Sequence, residues 1–249
     1  MISDMKEREA KENMNPREHL DSRVRIKLCG LSRPEDIASA NALLPDFVGF
    51  VFAKKSPRFV TPEQAAELKA LLDPRIRAVG VFVDEDPERI RKIAEAGIID
   101  LVQLHGRETP EQVREVQNYV RIPVIKAFSV KTPEDLKTAA ESPADFVLLD
   151  NGAGGTGTAF DWGILREDQD KTLNRALIEE PNGSRNGFPV CFCRPFFLAG
   201  GLTPENVGAA IKQCRPWAVD TSSALETAGK KDPEKMRAFV DAVRSLRPN

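Results

Sequence analysis

Cysteine and histidine are scarce in this 249-residue chain, and long apolar runs are missing altogether. Four cysteines (Cys29, Cys191, Cys193 and Cys214) are too few for a disulfide framework at this length. Two histidines, His105 and an N-terminal His19, leave little material for a Ser-His-Asp triad. Cys191-Phe192-Cys193 has no nearby histidine or carboxylate partner and makes a poor zinc set. No stretch approaches the roughly 18 apolar residues that span a bilayer, and Met1 to Arg23 alternates basic with acidic residues instead of forming a signal peptide. Neither sign of charge dominates: the formal net charge is −2 and the pI is about 5.9. Nucleic acid and acidic membranes are therefore not expected partners, and a cytoplasmic protein with reduced thiols is.

What is present is ordinary globular composition, 41% hydrophobic and 30% charged, in a regular alternation. Apolar, β-branched runs occur at residues 24–29, 47–52, 78–83, 101–104, 123–127, 146–150, 196–199 and 217–220. Between them lie longer amphipathic stretches, opened at Pro34, Pro62, Pro87, Thr109-Pro110, Thr132-Pro133, Thr203-Pro204 and Pro233. Proline in the first helical turn has its φ preset and lacks an N–H that would go unpaired there anyway, so these prolines mark helix starts. Strands apolar at nearly every position are expected where both faces of a parallel sheet are covered. Eight alternating βα units predict an α/β fold of one domain, a (β/α)₈ TIM barrel over residues 23–249. A doubly wound open sheet is the alternative, but no Gly-x-Gly-x-x-Gly follows the first strand. Residues 1–22 form an N-terminal extension. Residues 166–193, polar and carrying Asn182-Gly183 and Asn186-Gly187, read as an insertion between strands six and seven.

Barrel enzymes carry their reactive groups where the strands end. Cys29 ends the first strand before Gly30, where a thiolate serves as base or nucleophile. Asp150 ends the sixth after Phe146-Val147-Leu148-Leu149, neighbours that would desolvate it and suit it to general-acid work. The glycine-rich run from Asn151 to Thr158 follows directly. Loops after strands seven and eight form the recurrent phosphate site of these barrels. Here they hold Gly200-Gly201 and Asp220-Thr221-Ser222-Ser223. Arg58, just past strand two, is placed to clamp a carboxylate, and His105 ends strand four.

These residues sit in a larger pattern. Lys27-Leu28-Cys29-Gly30, Phe47-Val48-Gly49-Phe50, Ser56-Pro57-Arg58, Gln103-Leu104-His105-Gly106, Leu149-Asp150, Gly154-Gly155-Thr156-Gly157, Ala199-Gly200-Gly201-Leu202 and Ala218-Val219-Asp220 with Ser222-Ser223 occur in this order. Together they resemble the phosphoribosylanthranilate isomerase family from about Arg23 to Leu246. The resemblance implies a cofactor-free Amadori rearrangement of a small phosphorylated substrate in tryptophan synthesis, by a monomer or homodimer. It implies Cys29 as general base, Asp150 as general acid, and Arg58, His105, Asp220, Gly200, Gly201, Ser222 and Ser223 as substrate-binding residues. A related ribotide isomerase of histidine synthesis would need aspartates near positions 29 and 127, where Cys29 and Ala127 stand. A non-catalytic phosphate binder is the reading from another class.

One departure bears on the phosphate loop. Ala224-Leu225-Glu226 replaces the family's Gly-Val-Glu. Alanine there either strains a left-handed turn or reports a different backbone.

Overall fold

The computed structural model describes residues 23–150, 162 and 194–246. The expected N-terminal extension, the glycine-rich run after Asp150 and the 166–193 insertion lie outside those residues. Eight parallel strands close into a barrel in sequence order: β1 (Arg25–Cys29), β2 (Phe47–Val51), β3 (Arg77–Phe82), β4 (Leu101–Leu104), β5 (Val124–Ser129), β6 (Phe146–Asp150), β7 (Phe196–Leu198) and β8 (Ala218–Thr221). The open-sheet alternative is thereby excluded, since β1 pairs with both β2 and β8.

The strands read as apolar throughout because each serves two cores. Alternate residues point to opposite faces. Outward residues such as Ile26, Leu28, Val48, Phe50 and Val219 pack beneath the helices. Inward residues fill the barrel in layers, with Phe47, Leu101, Ile125, Phe146 and Phe197 in the lower part and Cys29, Val51 and Val81 above. At the N-terminal ends of the strands, aromatic rings close the floor. Trp217 lies 4.8 Å from Phe146, 5.2 Å from Phe197 and 5.8 Å from Phe47 between ring centroids, and Arg25 stacks over it at 4.4 Å. Each such ring contributes about 1.5–3 kcal/mol by leaving water.

The helices are α1 (Pro34–Leu43), α2 (Pro62–Leu71), α3 (Pro87–Glu95), α4 (Pro110–Tyr119), α5 (Pro133–Ala140), α6 (Val207–Cys214) and α7 (Pro233–Arg244). Thr61, Thr109 and Thr132 each accept a hydrogen bond from the backbone N–H three residues on, and the side chain there reciprocates, which fixes where α2, α4 and α5 begin. Thr203-Pro204 does not open its helix. The chain turns at Pro204–Asn206, with Asn206 Oδ1 accepting from Thr203 N at 2.8 Å, and α6 starts at Val207. After β8 a single 3₁₀ turn (Ser223–Leu225) leads into a two-residue hairpin, Glu226–Thr227 with Lys230–Lys231. No helix among the described residues is long and apolar enough to cross a membrane.

Candidate active site

The rim at the C-terminal ends of the strands gathers the predicted residues. Cys29 and Asp150 are the last residues of β1 and β6, and both are buried. Cys29 lies at the layer above Lys27 on the inward face of β1, and its sulfur fits closely over β2. A Cβ built on Gly49 would stand 2.6 Å from Cys29 Sγ, so the absence of a side chain at 49 makes room for the thiol. Burial pushes the Cys29 thiol above its ordinary value, and the Lys27 ammonium opposes that rise.

Lys27 is fully buried and holds Asp220 Oδ2 at 2.9 Å across the β1–β8 pairing, where the two residues are direct register partners. His105 follows β4, and its Nδ1 lies 2.8 Å from the side-chain amide of Gln103. With the amide donating, Nε2 carries the hydrogen and faces Asp150 Oδ2 at 3.7 Å. Burial depresses the His105 pKa below that of a free imidazole, and the Lys27 ammonium adds to the effect. The loop carrying His105 is pinned from behind. Glu108 accepts from the N–H of Gly106 and pairs with Lys126 at 3.0 Å, while Lys126 donates to the carbonyls of Gly106 and Ala127.

Arg58, in the loop after β2, is engaged by Glu226 through Nε at 2.5 Å and Nη2 at 2.9 Å. That hydrogen-bonded carboxylate holds the guanidinium firmly charged. Glu226 in turn accepts from Lys231 at 2.7 Å, and Lys231 also donates to the Ser222 carbonyl at 2.9 Å. The Ser222 hydroxyl donates to the Cys29 carbonyl at 3.0 Å. A chain of polar contacts thus ties the ends of β1 and β8 to the Arg58 loop.

In the loop after β7, Gly200 and Gly201 adopt φ of +86° and +67°, a consecutive pair that residues with a β-carbon rarely sustain. Asn206 anchors the Gly201 carbonyl at 2.9 Å, and Thr221 anchors that of Leu202 at 2.9 Å. The expected strain at Ala224 is not present. Ala224 lies inside the 3₁₀ turn with φ negative, and the left-handed alanine is Ala228, at +51° in the hairpin turn. The loop has adopted a backbone that suits alanine at 224.

The barrel thus carries a cysteine and an aspartate at its rim and a double-glycine turn beside β8. The family model for N-(5'phosphoribosyl)anthranilate (PRA) isomerase matches residues 26–242. The chain belongs to this isomerase family. The N-(5'-phosphoribosyl)anthranilate isomerase of Thermoanaerobacter sp. (strain X514) is 41% identical over 228 residues, spanning 90% of this chain and 100% of that one. Among solved structures, a phosphoribosyl anthranilate isomerase in complex with reduced 1-(o-carboxyphenylamino)-1-deoxyribulose 5-phosphate superposes with a TM-score of 0.72. It is 36% identical and covers 90% of this chain and 100% of its own. The phosphoribosyl anthranilate isomerase of Thermotoga maritima gives 0.73 at 37% identity with the same coverage.

Of the residues expected at the isomerase site, Cys29, Arg58, His105, Asp150, Gly200, Gly201, Ser222 and Ser223 stand on or just above the rim, and Asp220 lies one layer below it, level with Lys27. Sequence reading missed Lys27, Gln103, Glu226 and Lys231. The signal for the first two was available: a lysine and a glutamine at inward positions of otherwise apolar strands, in register with Cys29 and His105. Among the described residues no group of three or more His, Cys, Asp or Glu is placed to hold a metal ion.

Proposed function

We propose that this chain, as a barrel domain over residues 23–249 with residues 1–22 as an extension, catalyses the Amadori rearrangement of N-(5'-phosphoribosyl)anthranilate in the cytoplasm. The product is 1-(2-carboxyphenylamino)-1-deoxyribulose 5-phosphate. The observation that carries the residue assignment is the placement of Cys29 and Asp150 at the ends of two strands of one rim, beside the Gly200-Gly201 turn.

Asp150 gives its proton to the ring oxygen as the bond from that oxygen to C1′ breaks. The anthranilate nitrogen supplies the electron pair and becomes a protonated imine. The Cys29 thiolate then removes the proton from C2′, and the electrons of that C–H bond flow to the nitrogen, giving an enolamine. Tautomerisation yields the ketone. The substrate nitrogen gives electrons in ring opening and takes them back when C2′ loses its proton, so one acid and one base suffice. Arg58 meets the anthranilate carboxylate as a charged donor. Asp220 receives the sugar hydroxyls, and His105, uncharged, donates from Nε2 near Asp150. Because the Ser222 hydroxyl is committed to the Cys29 carbonyl, the phosphate is met chiefly by backbone N–H groups near Gly200, Gly201 and Ser223.

The test uses substrate generated in place from anthranilate and phosphoribosyl pyrophosphate, followed by loss of its fluorescence. Wild type turns over. Cys29→Ser and Asp150→Asn each fold and bind but lose at least about 10²-fold in kcat, the low end for losing a general acid or base. Near-wild-type turnover in either variant removes that residue from its role.

A further inference from the structure

Lys27 has no surface exposed to solvent, yet it carries an ammonium at the centre of the barrel. Its anchor is Asp220 Oδ2 at 2.9 Å, while Asp220 Oδ1 has no hydrogen-bond partner among the described residues. As a stabilising device this is poor chemistry, since well-packed apolar side chains of similar volume commonly do as well as a buried ion pair. The position explains more. Lys27 and Cys29 are two residues apart on one strand and share its inward face, and the charge of each acts on the other. The remaining charges that bear on Cys29 are Asp220 from β8, Lys231 from the hairpin and Arg58 from the loop after β2. His105 after β4 and Asp150 on β6 act on Asp220 behind them.

The geometry points to Lys27 as a positioning residue: anchored by Asp220 one layer below Cys29 on the same inward face, its ammonium stabilises the thiolate that accepts the substrate proton. Asp220 is the tether, keeping the ammonium charged and inside a cavity that would otherwise expel that charge. This rests on Cys29 being the base. The thiol proton passes to solvent water before substrate enters, and no oxidant or further reactant is involved.

The experiment reads Cys29 directly. Alkylation by iodoacetamide is followed against pH by peptide mass spectrometry, which separates Cys29 from the other three cysteines. Removing an opposite charge at close range should move the midpoint in Lys27→Met upward by about 1–3 pH units. The double variant Lys27→Met/Asp220→Asn removes the stranded carboxylate as well. It should recover the thermal stability that Lys27→Met loses while its midpoint stays above wild type, because Lys27 influences Cys29 more strongly than Asp220 does. Should the single variant fail to fold, the double variant alone decides. A midpoint at or below wild type in whichever variants fold overturns the proposal, since a merely structural lysine would move stability and leave the thiol unchanged. Alkylation does not depend on turnover, so this result is separate from the Cys29→Ser assay that tests the base itself.

Discussion

Arg58 and Glu226, 168 residues apart in sequence, meet edge to edge, with Nε and Nη2 of the guanidinium on the two oxygens of one carboxylate. Glu226 occupies that edge and leaves Nη1 to face a second acceptor. Arg58→Ala should weaken binding of anthranilate-bearing ligands by roughly 1.5–3 kcal/mol, the range for hydrogen bonds to charged groups. Binding of a simple phosphosugar should be unaffected. Glu226→Gln should raise KM with kcat little changed, because the guanidinium loses its orientation while keeping its charge. A fall in KM would instead make Glu226 a competitor of the substrate carboxylate.

Two alanines near the phosphate loop should respond in opposite directions. Ala224 sits in a 3₁₀ turn, so Ala224→Gly adds only backbone freedom and should cost about 0.5–1 kcal/mol of stability with phosphate affinity unchanged. Ala228 is held at φ +51°, where glycine relieves steric conflict, and Ala228→Gly should stabilise by up to about 1 kcal/mol. Thermal melting of the two variants checks both signs. Destabilisation by Ala228→Gly would mean the hairpin turn depends on the methyl group.

Gly49→Ala places a methyl group against the Cys29 sulfur. Overpacking of this kind costs about 1–3 kcal/mol, and the displaced thiol should lose turnover out of proportion to the loss of stability. A variant with wild-type kcat would show that the thiol tolerates a second position.

The base works only as a thiolate, which sets the sign of the pH dependence. Burial raises the Cys29 pKa, so the protonated, inactive form persists to higher pH than in a free thiol of about 8.5. Because the Asp150 proton is needed as well, the limb is read in Asp150→Asn, where no carboxyl proton is lost in the same range: its residual kcat/KM should rise as pH climbs toward the Cys29 pKa and fall as pH drops below it. The residual activity of Cys29→Ser should lack this limb. A flat Asp150→Asn profile through the titration of the thiol would contradict the assignment.

Much of this was legible in the chain itself. Eight apolar runs mapped onto eight strands because a parallel barrel buries both faces, and three Thr-Pro pairs marked helix starts because the hydroxyl satisfies an end N–H. The pair at Thr203-Pro204 misled: a turn at Pro204–Asn206 follows it, and α6 starts only at Val207. Rim residues could be named from strand ends alone. Glu226 and Lys231 could not, since their meaning lies in contacts to Arg58 and Ser222, and the hairpin that delivers them is only two residues deep. Lys27 was legible but passed over: it stands two residues before Cys29 on the same strand face, and its register with Asp220 is the added fact that gives it a partner.

Among the described residues, the ring cluster of Phe47, Phe146, Phe197 and Trp217, capped by Arg25, seals the barrel at the N-terminal ends of its strands. On the proposed function, substrate and product both meet the rim side, since among the described residues these rings fill the floor beneath it. An enzyme of this shape empties before it refills. Accumulating product therefore competes with substrate for the same vacancy, and flux through the site depends on whatever step downstream clears the rim side.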